Sequence, residues 1–113
     1  MAGPDFRAAL GRWHAVLAEF IRRDDPDLST RQMTILLHVY VTDGPHSVKG
    51  LSATLAISKP AVSRALDRLG DLGYIRRLRD MSDRRNVLVE RTVKGSVYLS
   101  EFADLISQAS KEA

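Results

Sequence analysis

Residues Ile57 to Arg85, ISKPAVSRALDRLGDLGYIRRLRDMSDRR, restrict what this chain can fold into more than any other stretch. Ser58 suits a helix start because its hydroxyl can accept from a backbone N–H one turn on, and Pro60 just inside has no N–H to leave unsatisfied. Val62, Ala65, Leu66, Leu69 and Leu72 then recur at spacings of three and four. That spacing makes one apolar stripe, which must be buried. The opposite face carries Lys59, Ser63, Arg64, Asp67 and Arg68, and Gly73 stands where a left-handed residue can end the helix. Tyr74 to Leu78 and Val87 to Val89 read as two short strands, and the turn between them holds Asp80, Ser82, Asp83, Arg84 and Arg85. Such a hairpin cannot bury its tip. A helix with a basic, hydroxyl-rich outer face, followed by a solvated wing bearing adjacent arginines, suits a partner that is long, anionic and grooved; duplex DNA is the expected candidate.

The charge distribution agrees. The net charge of +3 says little by itself, because many basic proteins touch no nucleic acid. Between Ser58 and Arg91, however, nine basic residues face five acidic ones, so this third of the chain carries more than the whole net charge. With 113 residues, 1–113 is expected to form a single domain with a modest core. No apolar run is long enough to cross a bilayer and MAGPDFRAALGRW lacks a signal-peptide hydrophobic region, so a cytoplasmic protein is expected. The absence of cysteine excludes disulfides, thiolate metal sites and thiol redox switches.

Around this stretch the chain is helical. Phe6, Leu10, Trp13, Val16, Leu17, Phe20 and Ile21 predict a helix from about Asp5 to Arg22, ending in RRDDPDL, where Pro26 disfavours helix at the residue before it. Ser29 and Gln32 have capping-box spacing, and Met33, Leu36, Leu37, Tyr40 and Val41 predict the inward stripe of a second helix ending near Asp43-Gly44-Pro45. Ser47 can cap a short third helix with Val48, Leu51 and Leu55 inward. Joined tightly to the Ser58 helix, it makes a helix-turn-helix. Thr92 can cap a last helix carrying Val93, Val97, Phe102, Leu105, Ile106 and Ala109. The fold class expected is mainly α with a small β-wing: a winged helix-turn-helix.

Rival roles for single residues are weaker. Arg64 with Asp67, or Arg68 with Asp71, could be ordinary pairs on a solvated helix face. Asp83, Arg84 and Arg85 could be a plain charged turn, with an ion pair worth less than about 1 kcal/mol. His14, His38 and His46 fit no metal-ligand spacing, so no metal site is expected. Trp13 and Phe6 could line a ligand pocket, but an aromatic stripe at helical spacing is more often core or subunit seam. No nucleophile stands beside a base and no glycine-rich phosphate loop is present, so an enzyme is not expected.

The spacing of LSATLAISKPAVSRALDRLGDLGYIRRLRD, followed by SDRRNVLVERTVKG, resembles the MarR family of winged helix-turn-helix transcription regulators over roughly Ser29 to Gly95. The resemblance implies a sequence-specific regulator of transcription, most commonly a repressor, that binds double-stranded DNA at a near-palindromic operator. It implies that the helix matching Ser58 to Leu72 enters the major groove, with Ser58, Lys59, Pro60, Ser63, Arg64 and Arg68 meeting DNA. Arg85 would enter the minor groove, oriented by Asp83, with Arg84 nearby on phosphate. It also implies a DNA-binding core at 29–91 and a homodimer built from terminal helices at 5–22 and 92–111, with Phe6, Leu10, Trp13, Leu17, Phe102, Leu105 and Ile106 as the dimerisation residues. No cofactor is implied, although many members bind a small aromatic effector where the dimer and DNA-binding parts join. Members commonly end in two helices after the wing, whereas here the residues after Thr92 suffice for one, so a reduced dimer module is expected. Arg91 stands where members usually carry leucine, which predicts a more exposed strand end. The reading from another class is a winged-helix module that binds a protein instead of DNA; a third keeps the fold for ligand sensing alone.

Overall fold

A computed structural model describes residues 3–112. The elements follow as α1 (Pro4–Arg22), α2 (Thr30–Val41), β1 (His46–Ser47), α3 (Val48–Leu55), α4 (Lys59–Asp71), β2 (Ile75–Arg79), β3 (Val87–Arg91) and α5 (Val93–Glu112). They form two compact units: Leu28–Ser96, and α1 together with α5 from Val97 onward.

Side-chain caps set the helix starts in the first of these. Ser29 Oγ accepts from Gln32 N at 3.1 Å while Gln32 Oε1 accepts from Ser29 N at 2.9 Å, which completes a capping box before α2. Ser47 Oγ accepts from Gly50 N at 2.9 Å before α3, and Ser58 Oγ from Ala61 N at 3.2 Å before α4. Thr92 Oγ1 accepts from Gly95 N at 3.0 Å as α5 begins. Each cap of this kind stabilises by about 1 kcal/mol. At the other end of α4, Gly73 has φ +81°, Gly73 N donates to Gly70 O and Tyr74 N donates to Leu69 O, both at 2.9 Å. This is the paired closure of a Schellman motif, and it turns the chain directly into the wing.

The core of this unit is made by Ile35, Leu36 and Val39 of α2, Leu51 of α3, and Val62, Leu66 and Leu69 of α4, all essentially without solvent exposure. At roughly 1.5–3 kcal/mol per fully buried aliphatic side chain, these outweigh any single polar contact in the unit. The inward face of α2 differs from the stripe expected from its sequence. Ile35 and Val39 are fully buried, while Val41 is 73% exposed and Leu37 lies at the surface. TILLHVYV is apolar on nearly every side, so periodicity alone did not choose the face; packing against α4 did.

The sheet is three-stranded and antiparallel in the order β1-β3-β2, with His46 opposite Val89 and Leu78 opposite Leu88. β1 was not expected, because two residues show no alternation. β2 is shifted one residue from the expected strand, starting at Ile75 instead of Tyr74 and ending at Arg79, and β3 runs two residues further than its sequence suggested, to Arg91. Arg91 explains part of that extension. Although the residue is exposed, its Nε donates to Val39 O and its Nη2 to Thr42 O, both at 2.9 Å, so the strand end is tied to the last carbonyls of α2. His46 Nε2 lies 3.1 Å from the same Thr42 O and must donate to it, because a carbonyl only accepts.

Tyr40 joins the wing to the start of α5. Its hydroxyl donates to Tyr74 O at 2.7 Å and accepts from Thr92 N at 2.9 Å, while Thr92 Oγ1 donates to Gly73 O at 2.7 Å. Gly95 has to be glycine here, since a Cβ would overlap both Tyr40 Oη and Tyr74 O.

In the other unit, Phe20 of α1 packs edge-on against Tyr98 at 5.8 Å between ring centroids and in a tilted arrangement against Phe102 at 5.0 Å. Arg23 Nη2 donates to Glu101 Oε2 at 2.7 Å. Val16, Phe20, Tyr98 and Ala109 are its buried residues.

Candidate nucleic-acid interface

Because Ala61, Val62, Ala65, Leu66 and Leu69 are all turned into the core, the polar face of α4 is fixed outward. Lys59 and Ser63 form one outward row, a turn apart, and Arg64 and Arg68 form the next. Lys59, Pro60, Arg64 and Arg68 are exposed and Ser63 is half-buried. Ser58 Oγ is occupied as an acceptor by the cap, but its hydroxyl hydrogen remains available to an outside acceptor. The pairing of Asp67 with Arg64 suggested by helix spacing does not occur. Asp67 Oδ1 instead holds Arg77 Nη2 of β2 at 2.8 Å, which leaves Arg64 without a carboxylate partner among the described residues. Arg64 and Arg31 border an open concavity of about 780 Å³ between the start of α2 and the α3–α4 turn.

The wing is ordered by its own acids. Asp80 Oδ1 accepts from Ser82 Oγ at 2.7 Å and from Ser82 N at 2.9 Å, and these bonds, the hydroxyl first, hold its carboxyl below the usual 3.8. Asp83 Oδ1 accepts from Arg85 N at 3.1 Å and from Arg85 Nε at 3.3 Å. Arg79 Nη1 donates to Arg84 O at 2.7 Å, and Asp80 N to Asn86 O at 3.1 Å, closing the loop across its base. The Arg85 side chain is nonetheless 93% exposed. Its attachment is to the loop, and its guanidinium reaches into solvent. Arg84 is exposed beside it.

α3, α4 and the wing enclose a cleft of about 380 Å³ lined by Val48, Lys49, Lys59, Ser63, Asp83, Arg85, Asn86 and Val87. The structure therefore brings Lys59, Ser63, Asp83 and Arg85 together, and sets Arg64 on the opposite flank of α4. Lys49 was not singled out from the sequence. The available signal was a cation in the first turn of a helix, where the macrodipole favours an acid.

The apolar residues of the terminal helices lie elsewhere. Phe6, Leu10, Trp13, Leu17 and Ile21 run along α1 and stay exposed, Trp13 at 64%. Trp13, Phe102 and Ile106 line a groove of about 330 Å³ with Arg12 and Ser110 at its polar edge, and Leu105 is half-buried. Among the described residues, no helix is long and apolar enough to cross a membrane, and no three or more His, Cys, Asp or Glu side chains are grouped to hold a metal ion.

The model of the MarR family matches residues 27–86, more than half of the chain and all of α2 through the wing tip. The fold is similar to that of the transcriptional regulator Tm0710 from Thermotoga maritima, at 25% identity and a TM-score of 0.72, with 95% of this chain and 70% of that one covered. It is also similar to a mutant of MarR from E. coli complexed with operator DNA, at 23% identity and a TM-score of 0.70 over 93% of this chain and 73% of that one. The YusO protein from Bacillus subtilis shares the fold at 18% identity and a TM-score of 0.73, over 89% and 69% of the two chains. No sequence among curated proteins matches.

Proposed function

The chain belongs to the MarR family, and on that premise we propose that it is a transcriptional regulator that binds double-stranded DNA as a homodimer and reads sequence through α4. The observation that carries this reading is the combination of an outward α4 surface of Lys59, Ser63, Arg64 and Arg68 with a wing whose Arg85 is extended into solvent yet oriented by Asp83. A helix of this kind fits the major groove of B-DNA, about 12 Å wide. Arg64, without a carboxylate partner among the described residues, is the residue best placed to bond a guanine edge bidentately, which discriminates by about 1–3 kcal/mol. Arg85 enters the flanking minor groove, where a narrow A·T-rich tract concentrates negative potential. Because Asp83 already orients the guanidinium, less side-chain entropy is lost when DNA arrives.

The homodimer rests on α1. Five large apolar residues on one helix remain between 43% and 72% exposed, and a second copy offers the matching surface. Two-fold symmetry then puts two copies of α4 one helical turn of DNA apart, about 34–36 Å, and demands a near-palindromic operator. Any change in that distance takes one α4 out of its groove, which is how such a regulator would be controlled.

The test is duplex binding by fluorescence anisotropy over a salt series, on random and on selected sequences, for the native chain, Arg85→Ala and Arg64→Ala. We predict a steep fall of log affinity with log salt, a slope flattened by about one unit in Arg85→Ala, and a loss of about 1–3 kcal/mol of sequence preference in Arg64→Ala. A shallow slope that neither substitution changes would remove DNA from the reading and point to a protein partner on the same face.

A further inference from the structure

α3 and α4 both begin against electrostatic preference. Neither has an acidic residue in its first turn, and each has a lysine there, Lys49 and Lys59. The positive end of a helix dipole disfavours a cation, so each lysine is locally misplaced. Both first turns line the same cleft, and Arg85 reaches it from the wing. Basic residues from three separate elements thus line one cleft at the positive ends of two helices. Neither lysine has a carboxylate partner among the described residues. The one carboxylate in the lining, Asp83, is already engaged by Arg85 through both its backbone N–H and its Nε.

Local rules broken twice at one point indicate a site that an outside group completes. We propose that Lys49 and Lys59 seat a single backbone phosphate of the bound duplex in this cleft, at the point where the strand passes from the groove read by α4 to the groove that Arg85 enters from the wing; this rests on the DNA-binding reading above. The ligand is a phosphodiester, an anion with two free oxygens, and Ser63 and Asn86 supply uncharged polar groups beside the cations. Lys49 is then a positioning residue. It reads no base, and it holds the recognition helix and the wing to one shared point on the backbone, so that both grooves are entered in register.

The experiment uses the full chain and a selected duplex in which each phosphate of one half-site is replaced in turn by an uncharged methylphosphonate. One position is expected at which neutralisation weakens native binding about tenfold, while Lys49→Ala and Lys59→Ala, each about tenfold weaker at the start on every sequence, are affected less than about twofold. Lys49→Arg should restore native behaviour, which separates loss of the contact from damage to α3. Native affinity in Lys49→Ala, or loss of sensitivity at different phosphates in the two variants, would overturn the shared seat while leaving DNA binding intact. Displacement of duplex by inorganic phosphate at matched ionic strength, from the native chain but not from Lys49→Ala, would reassign the cleft to a soluble anion and overturn it as well. Native protein that binds no duplex at all would overturn both readings.

Discussion

α4 and α1 are both amphipathic helices, and they meet the same demand in opposite ways. α4, with 13 residues, buries Val62, Leu66 and Leu69 completely against α2 and α3. α1 is longer, 19 residues, yet among its described residues it buries only Val16 and Phe20 and leaves Phe6, Leu10, Trp13, Leu17 and Ile21 exposed. An apolar stripe is a requirement for burial that does not specify what supplies it. For α4 the chain supplies it, which frees the opposite face to be charged. For α1 the chain leaves much of the stripe exposed, and the proposed second copy would cover it. One unit closes a core around α4 and carries the basic face; the other leaves a run of apolar side chains along α1 exposed.

The contrast can be broken at either end. The largest effect should come from Leu66→Ala, which empties a fully enclosed site. We predict a loss of about 3 kcal/mol in urea unfolding, and a loss below about 1 kcal/mol would mean that α4 is not the centre of its core. Next comes the double change Trp13→Asp with Leu17→Asp, which puts charge on the exposed stripe. Sedimentation should show the dimer dissociation constant raised at least about a hundredfold, equivalent to about 2.7 kcal/mol, with helix content kept. Assembly as tight as native would exclude this face of α1 as the seam. The smallest effect concerns helix starts: α4 is capped by a side-chain bond from Ser58, whereas Gly3 before α1 makes none. Ser58→Ala should cost about 1 kcal/mol in thermal or urea unfolding, and no change would show that Pro60 and packing suffice to set the start of α4.

How much could be read beforehand follows the range of each interaction. Caps act within one turn, so Ser29, Ser47, Ser58 and Thr92 were legible as helix starts, and Gly73 as a stop. Asp83 and Arg85 are two residues apart, so their contact could be anticipated from the resemblance and from the turn itself. Pairings that span the fold were not legible. Asp67 reaches Arg77 rather than its helix neighbour Arg64, and Arg91 is drawn to the end of α2, about 50 residues earlier in the chain. The face of α2 was misjudged because a segment apolar on nearly all sides carries no preferred direction until something packs on it.

The amino-acid sequence by itself determined the extent of α4, the basic chemistry of its outer surface and the existence of a charged wing, because periodicity, caps and turn residues act over a few positions. Only the tertiary structure decided that Lys49, Lys59 and Arg85, from α3, α4 and the wing, share one cleft. Their meeting depends on how α3 packs on α4 and on the register of β1 and β2 against β3, and those are set by the whole core at once.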